Sequence, residues 1–409
     1  MDSNVLDTID MKVLGRELQQ ARVKKNLTQE EAAKIIDVAR TTITAIEKGD
    51  RRIKAGELMK LAQAYGLPIS DFVRTRPEIG MSQPQFRGPS LRTEEDNVLI
   101  APFVEHLKHL ARDYFELEKI TRSPLVRKYP LEYDVRRLQT SEAAESIEME
   151  ERIRLGLGDG PIPLLRDILE QDVGLRIFYY ALPPKFSAIY LYDDQVGGCI
   201  AVNSNHPEER RRWSLAHDYG HFLTYRLKPT VFIENGYQRK PESEHLADDF
   251  ANYFLMPTNG VTRRFNDIRR TKDKITAGDL CILAYYYGVS VEAMTRRLED
   301  LKLLPTGLWD KLRAGGFKVR EAQQQLGLGS LPARDQKFPT RYQYLAIDAF
   351  DRGLISEGLL SRFLEVDRLE ARRTAEVLRQ SATGETDASL LHQDMEQPAN
   401  DWEDRVVNE

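Results

Sequence analysis

Residues 210–226 read R-R-R-W-S-L-A-H-D-Y-G-H-F-L-T-Y-R, and their centre, His217-Asp218-Tyr219-Gly220-His221, narrows the choice of fold more than any other stretch. Histidines four residues apart share one face of a helix, one turn above the other. Both imidazoles then reach a single tetrahedral metal, which is the spacing of the H-E-x-x-H zinc signature. In that signature the acid after the first histidine is no ligand; it is the general base that takes a proton from water. Here Asp218 stands where the signature has Glu. Surface helices carry H-x-x-x-H pairs by chance, so the setting decides. Trp213, Leu215, Ala216, Phe222 and Leu223 surround the pair and predict a largely buried helix.

A second acidic cluster follows at 242–249, E-S-E-H-L-A-D-D, and opens the helical run F-A-N-Y-F-L-M-P. In two-His-plus-Glu zinc peptidases a downstream helix supplies the third ligand, often with an Asp one turn later behind a ligand. Glu244 and Asp248 have that i, i+4 relation. The alternative is a solvated helix start, where acids favour the positive end of the dipole.

These two stretches, R-W-S-L-A-H-D-Y-G-H and E-H-L-A-D-D-F-A-N-Y-F-L-M-P, resemble the ImmA/IrrE metallopeptidases over roughly residues 141–304. The resemblance implies a zincin-like α+β domain with a small sheet, and His217, His221 and Glu244 as zinc ligands. It also implies Asp218 at the catalytic position, Asp248 supporting a ligand, and cleavage of repressors that control stress or mobile-element genes. Mn²⁺ or Fe²⁺ also suits two histidines and a carboxylate. Asp is shorter than Glu by one C–C bond, about 1.5 Å, and a misplacement of about 1 Å costs on the order of 100-fold in rate. Asp218 therefore either works in a closed-up site or marks a slow or inactive peptidase that serves as sensor or interaction domain. Tyr219 and Tyr225 are the nearest phenols for an oxyanion.

The N-terminal part has a different character. From Lys12 to Arg76 there are 14 Lys/Arg against 8 Asp/Glu, a local +6 in a chain of net charge −5. A basic module on an acidic body points to nucleic acid at one end. Five short helices are expected over 12–73. Leu14, Leu18 and Ala21 face inward on the first, Thr28-Gln29-Glu30-Glu31 is a capping box opening the second, and Gly49 closes the third. L-T-Q-E-E-A-A followed by R-T-T-I-T-A-I-E-K-G resembles the helix-turn-helix of the Cro/C1 (XRE) family. That resemblance implies Arg40, Thr41 and Thr44 at base edges, and Gln29, Lys48, Arg51 and Arg52 at phosphates. Asp37 and Ala39 stand where the family has Gly and Ser, which weakens the turn and the cap. The bland alternative is a small helical domain that binds protein. One module reads a half-site, so a homodimer on a double-stranded DNA operator is expected.

The rest fills in around these two centres. The expected organisation is a helix-turn-helix domain over 10–75, a linker over 76–95, a long connector helix within 96–140, and the metallopeptidase-like domain over 141–304. A helical region over 305–382 and an acidic tail over 383–409 complete it. The connector either packs on the body or forms a dimer seam; its His106 and His109 read as surface residues. Strands are expected at 175–181, 187–192 and 198–203. The second of these is the candidate edge for an extended substrate. G-V-S-V-E-A at 288–293 resembles a helix-turn-helix but reads better as core packing. G-L-I-S-E-G-L-L-S-R-F-L at 353–364 resembles a short regulatory helical pair. The chain is mainly α and of 409 residues, with 41% hydrophobic and 30% charged content and no apolar run long enough to span a bilayer. Cys199 and Cys281 sit among apolar residues as free thiols, and a cytoplasmic protein is expected.

Overall fold

The computed structural model describes residues 11–66, 69, 72, 85–87, 94–135, 139–226, 242–329, 331 and 336–383, except Asn26 and Asp273. Two compact units divide the chain, residues 1–78 and 79–409.

The first unit contains α1 (Met11–Lys24), α2 (Gln29–Ile36), α3 (Arg40–Lys48) and α4 (Ala55–Tyr65). The fifth helix expected before residue 73 lies mostly outside the described residues. Thr28 caps α2 with the reciprocal Glu31 bonds of a capping box. The turn carries a local cost: Asp37 takes a left-handed φ of 56°, and Ala39 offers α3 no side-chain cap. Leu14, Leu18, Ala32, Ile36, Ile43, Ile46, Leu58 and Leu61 form the core. Gly15 lets α1 lie on the α3 backbone, where a Cβ would meet the Ile46 carbonyl oxygen at 2.4 Å.

The second unit is three layers deep around a four-stranded sheet. Its strands are β1 (Gln85–Arg87), β2 (Arg176–Tyr180), β3 (Ala188–Asp193) and β4 (Gly197–Asn203), in the order β1-β3-β4-β2. β2 runs parallel to β4; the other pairs are antiparallel. Alternate residues point to opposite faces. Ile177, Tyr179, Ala188, Tyr190, Ile200 and Val202 join a front core, while Phe178, Tyr180, Ile189, Leu191, Cys199 and Ala201 join a back core. Both faces are covered, so the strands read as near-continuous apolar runs.

In front pack α6 (Thr140–Arg154), α7 (Leu165–Ile168) with a π-helical turn Leu169–Val173, α8 (Glu208–Thr224) and α9 (Glu242–Leu255). They are followed by α10 (Thr258–Thr271), α11 (Ala277–Tyr287), α12 (Val291–Asp300), α13 (Leu308–Ala314) and α14 (Val319–Gln325). Behind pack α5 (Glu94–Thr121), α15 (Thr340–Asp351), α16 (Glu357–Leu364) and α17 (Arg368–Thr383).

Two expectations change. The stretch expected as linker contributes β1, and α5 already begins at Glu94, inside it. The strand expected as a substrate edge, 187–192, is interior, paired by β1 on one side and β4 on the other. Of the two roles expected for the connector helix, packing on the body is the one seen: Leu107, Leu110, Ala111, Tyr114 and Leu117 are buried against the sheet and the C-terminal helices. A buried ion pair fastens that layer, with Arg176 of β2 donating 2.8 Å to Glu118 of α5 and Arg341 of α15 at 3.3 Å from the same carboxylate. Periodicity marked the apolar face of α5 but could not name its partner. The far edge of β2 is also engaged, since the Tyr179 N–H donates to the Lys337 carbonyl at 2.9 Å. Cys199 and Cys281 are free and buried. Among the described residues no helix is long and apolar enough to cross a membrane.

Candidate functional site

The sequence of α8 divides its surface by period. Leu215, Tyr219, Phe222 and Leu223 enter the front core, while His217, Gly220, His221 and Thr224 recur at the i, i+3, i+4, i+7 spacing of a second stripe. That stripe meets α9: a Cβ on Gly220 would lie 3.0 Å from Phe250 and 3.3 Å from the Ala247 backbone. On α9, Glu244 and Asp248 lie one turn apart on either side of Ala247 and reach the histidines.

His217 Nε2 and His221 Nε2 stand 3.1 Å apart. One Glu244 oxygen is 3.5 Å from His217 Nε2 and the other 3.2 Å from His221 Nε2. Donors at 2.0–2.1 Å from a tetrahedral metal are separated by about 3.3 Å, so the three side chains fit one divalent ion. Among the described residues this is the group of three or more His, Cys, Asp or Glu that converges in this way. Asp248 Oδ1 accepts from His217 Nδ1 at 2.8 Å, which fixes the tautomer and turns the Nε2 lone pair to the cluster. His221 Nδ1 is buried with no hydrogen-bond partner. Burial works against the charge on Glu244, but the two histidines outweigh it and hold the carboxyl far below its ordinary range.

Asp218 is buried at 3% exposure, next to His217 on the same turn and outside the converging group. Tyr219 does not serve an oxyanion. It is fully buried, and its hydroxyl is held by Glu151 and, at 2.9 Å, by Arg154. Glu151 itself is wholly buried and also accepts from Tyr133 at 3.0 Å. This anchor pins the underside of α8. Nothing in the local sequence pairs residue 151 with 219, so sequence reading missed it.

In the first unit Arg40, Thr41, Lys48 and Arg52 are exposed, and Thr44, Gln29 and Arg51 are half-buried. The half-buried three are already engaged within the unit. Gln29 donates to Glu47 at 2.9 Å and accepts from Thr44 at 3.2 Å. Arg51 makes a bidentate pair with Glu57, at 2.9 and 3.2 Å. Glu47 is buried and takes Arg22 at 2.6 and 3.1 Å, which raises the Arg22 pKa. The relay Arg22–Glu47–Gln29–Thr44 therefore runs from the core to the outer face of α3. Arg22 and Glu47, 25 residues apart, carry no sequence signal that links them.

Comparison with known proteins agrees with this division. Residues 170–299 match the family model described as the IrrE N-terminal-like domain, a peptidase family. Residues 18–72 match the helix-turn-helix model. A curated relative, the cryptic phage CTXphi transcriptional repressor RstR of Vibrio cholerae, is 40% identical over 61 residues. Those residues are 15% of this chain, which spans about half (55%) of the length of that repressor. The crystal structure of Bacillus thuringiensis PlcR in complex with the peptide PapR7 and DNA aligns over 91% of this chain and 98% of its own. Its identity is 12% and its TM-score 0.18, at which no likeness of fold is claimed. The chain thus fuses an XRE-type helix-turn-helix domain to an IrrE N-terminal-like peptidase domain.

Proposed function

We propose that this protein is a DNA-binding transcription regulator whose second unit is a zinc-dependent endopeptidase. Its substrate is a repressor or other regulatory protein in a stress, phage-defence or mobile-element response. The observation that carries this reading is the convergence of His217, His221 and Glu244 at tetrahedral spacing beside the buried Asp218. Those three side chains would hold the ion. Zinc there would polarise a scissile carbonyl and acidify water. Asp218 takes the proton from water and passes it to the leaving amine. Asp248 keeps His217 in the tautomer that binds, and Glu151 with Arg154 keeps α8 in place through Tyr219. On the first unit, Arg40, Thr41 and Thr44 read base edges of an operator, and Lys48, Arg51 and Arg52 contact phosphates, as one half of a homodimer. Gln29 fixes Thr44 in position. The repressor likeness of this module supports that role.

A second reading is favoured by one residue. Asp218 is a methylene shorter than Glu, so the domain is alternatively a weak or inactive peptidase that senses or docks. Metal content by mass spectrometry on wild type, His217→Ala and Glu244→Ala, with repressor cleavage on Asp218→Ala and Asp218→Glu, separates the two. About one zinc per chain, lost in both ligand variants, with cleavage lost in Asp218→Ala, is the expected result. Cleavage by Asp218→Glu alone would establish the second reading. No stoichiometric metal in wild type would sink the zinc site.

A further inference from the structure

A single turn recurs three times in this chain. A helix ends on a left-handed residue, a valine follows, and the next residue begins a new helix: Asp37-Val38-Ala39, Gly288-Val289-Ser290 and Glu365-Val366-Asp367, with leading φ of 56°, 66° and 51°. A three-residue turn of this kind is the joint of a helix-turn-helix. The middle copy, α11–α12, is taken up by packing on its outer face too, because Val291 and Thr295, at the positions of Arg40 and Thr44, are buried. The third copy, α16–α17, packs into the back core through Leu360, Leu364, Ala371 and Ala375 but leaves Arg368 and Arg372, at the same two outer positions, exposed.

Its likeness to the first copy is residue by residue. α2 and α16 are both eight residues long. α3 and α17 both open on arginine, Arg40 and Arg368. In this register Ala32, Ile36 and Ile43 correspond to Leu360, Leu364 and Ala371, and all six are buried. The brace between the two helices recurs at the same positions. Gln29 to Thr44 is 3.2 Å in the first copy, and their counterparts Glu357 and Arg372 are 2.7 Å apart in the third. The outer face is open at Arg40 and Thr41 and half-buried at Thr44 and Ala45 in the first copy, and wholly open in the third. Arg368, Leu369, Arg372 and Arg373 are exposed at the positions of Arg40, Thr41, Thr44 and Ala45. Three arginines in the first two turns of the second helix are what a duplex meets at a recognition helix. Leu369, 60% exposed, stands at the position of Thr41 and suits a thymine methyl.

We propose that residues 356–379 are a second DNA-contacting helix-turn-helix, in which Arg368, Arg372 and Arg373 meet the phosphates and base edges of a duplex. Across 356–379 five arginines are balanced by five acids, Glu357, Glu365, Asp367, Glu370 and Glu376, so it is the placement of the three arginines on the outer face, and not net charge, that suits a duplex. The inference goes beyond the function above and does not depend on the metal site.

The test uses the full chain and a labelled duplex of mixed sequence, about four helical turns long, titrated by anisotropy between low and physiological salt. Four proteins are compared: wild type, Arg40→Ala/Lys48→Ala, Arg368→Ala/Arg372→Ala/Arg373→Ala, and all five changes together. The expected result is residual, salt-dependent binding in the Arg40/Lys48 variant. Adding the three C-terminal changes should weaken it at least about tenfold at low salt and flatten the slope of log K against log salt by about two to three. Equal affinity and slope with and without the three arginines would overturn the proposal. So would complete loss of binding on changing Arg40 and Lys48 alone, which leaves the N-terminal reading intact. Unchanged DNA binding with an altered sedimentation coefficient would mark a protein interface instead, and also overturn it. Wild type that binds no duplex would sink both readings. The substituted side chains are exposed and the one brace removed, Arg372–Glu357, is a surface ion pair of small worth, so melting curves of all four proteins should nearly coincide; if they do not, the three Arg→Gln changes replace the alanines.

Discussion

The outer face of α3 and the α8–α9 cluster solve opposite problems. On α3 the residues meant for a partner stand in solvent, and a buried relay from Arg22 through Glu47 and Gln29 holds them still. On α8 the candidate residues themselves are buried, and neighbours hold them: Asp248 behind His217, Glu151 beneath Tyr219, and Gly220 letting α9 close in. A face that must meet a large partner keeps its reading groups exposed and hides the scaffold. A cluster that must hold one small ion hides both. In the first case damage to the scaffold should be a folding defect; in the second it should appear first in binding.

The largest effect expected is on the exposed side. Arg22→Ala leaves Glu47 buried without its ion pair, and breaking such a pair costs about 3–5 kcal/mol. The first unit should melt earlier by calorimetry while the second keeps its transition; one unshifted transition for each unit would refute the relay as scaffold. Next comes a pH effect confined to the second unit. Burial pushes Glu148 from its ordinary 4.5 up to about 7 despite the nearby Arg152, and Glu170 is pushed up to about 7 in the same way beside Arg166. A carboxyl with a raised folded pKa binds its proton more tightly in the folded state. The stability it adds is therefore full below its ordinary pKa of 4.5 and lost as pH rises through about 7. Denaturant unfolding of wild type should weaken over that window, by on the order of 1–3 kcal/mol per such group. Glu148→Gln should flatten its share, and a slope unchanged in that variant would count against the buried neutral carboxyl.

Asp248→Asn sharpens the other half of the comparison. Removing the carboxylate behind a ligating histidine typically costs about 10–100-fold in metal affinity. Zinc titration should show that loss with little change in melting temperature, and a large fall in stability instead would make Asp248 a structural residue. The smallest effect belongs to Thr28→Ala, which removes the cap of α2 and should cost about 1 kcal/mol. It is read as a modest fall in the melting temperature of the first unit.

Much of this was legible in local sequence because the rules that wrote it are local. Thr28 with Glu31, Gly49 and Gly288 mark where helices begin and end. Apolar runs rich in β-branched and aromatic residues predicted the strands at 175–181, 187–192 and 198–203 within one or two residues of β2, β3 and β4. The i, i+4 histidines put both rings on one stripe of α8 before any partner was known. Residues 85–87 carried no such pattern: three residues are too few for a period, and only pairing with β3 makes them a strand.

Local sequence thus specified most of the elements, their ends and the side chains each presents on a face, since backbone geometry repeats every 3.6 or 2 residues. Which faces meet was settled only by packing. It brought Glu244 within 3.5 Å of both histidines, paired Arg22 with Glu47, and closed the back of the sheet with α5 and the C-terminal helices. Those pairings come from the joint burial of apolar faces far apart in the chain, and burial of that kind is a property of the packed whole.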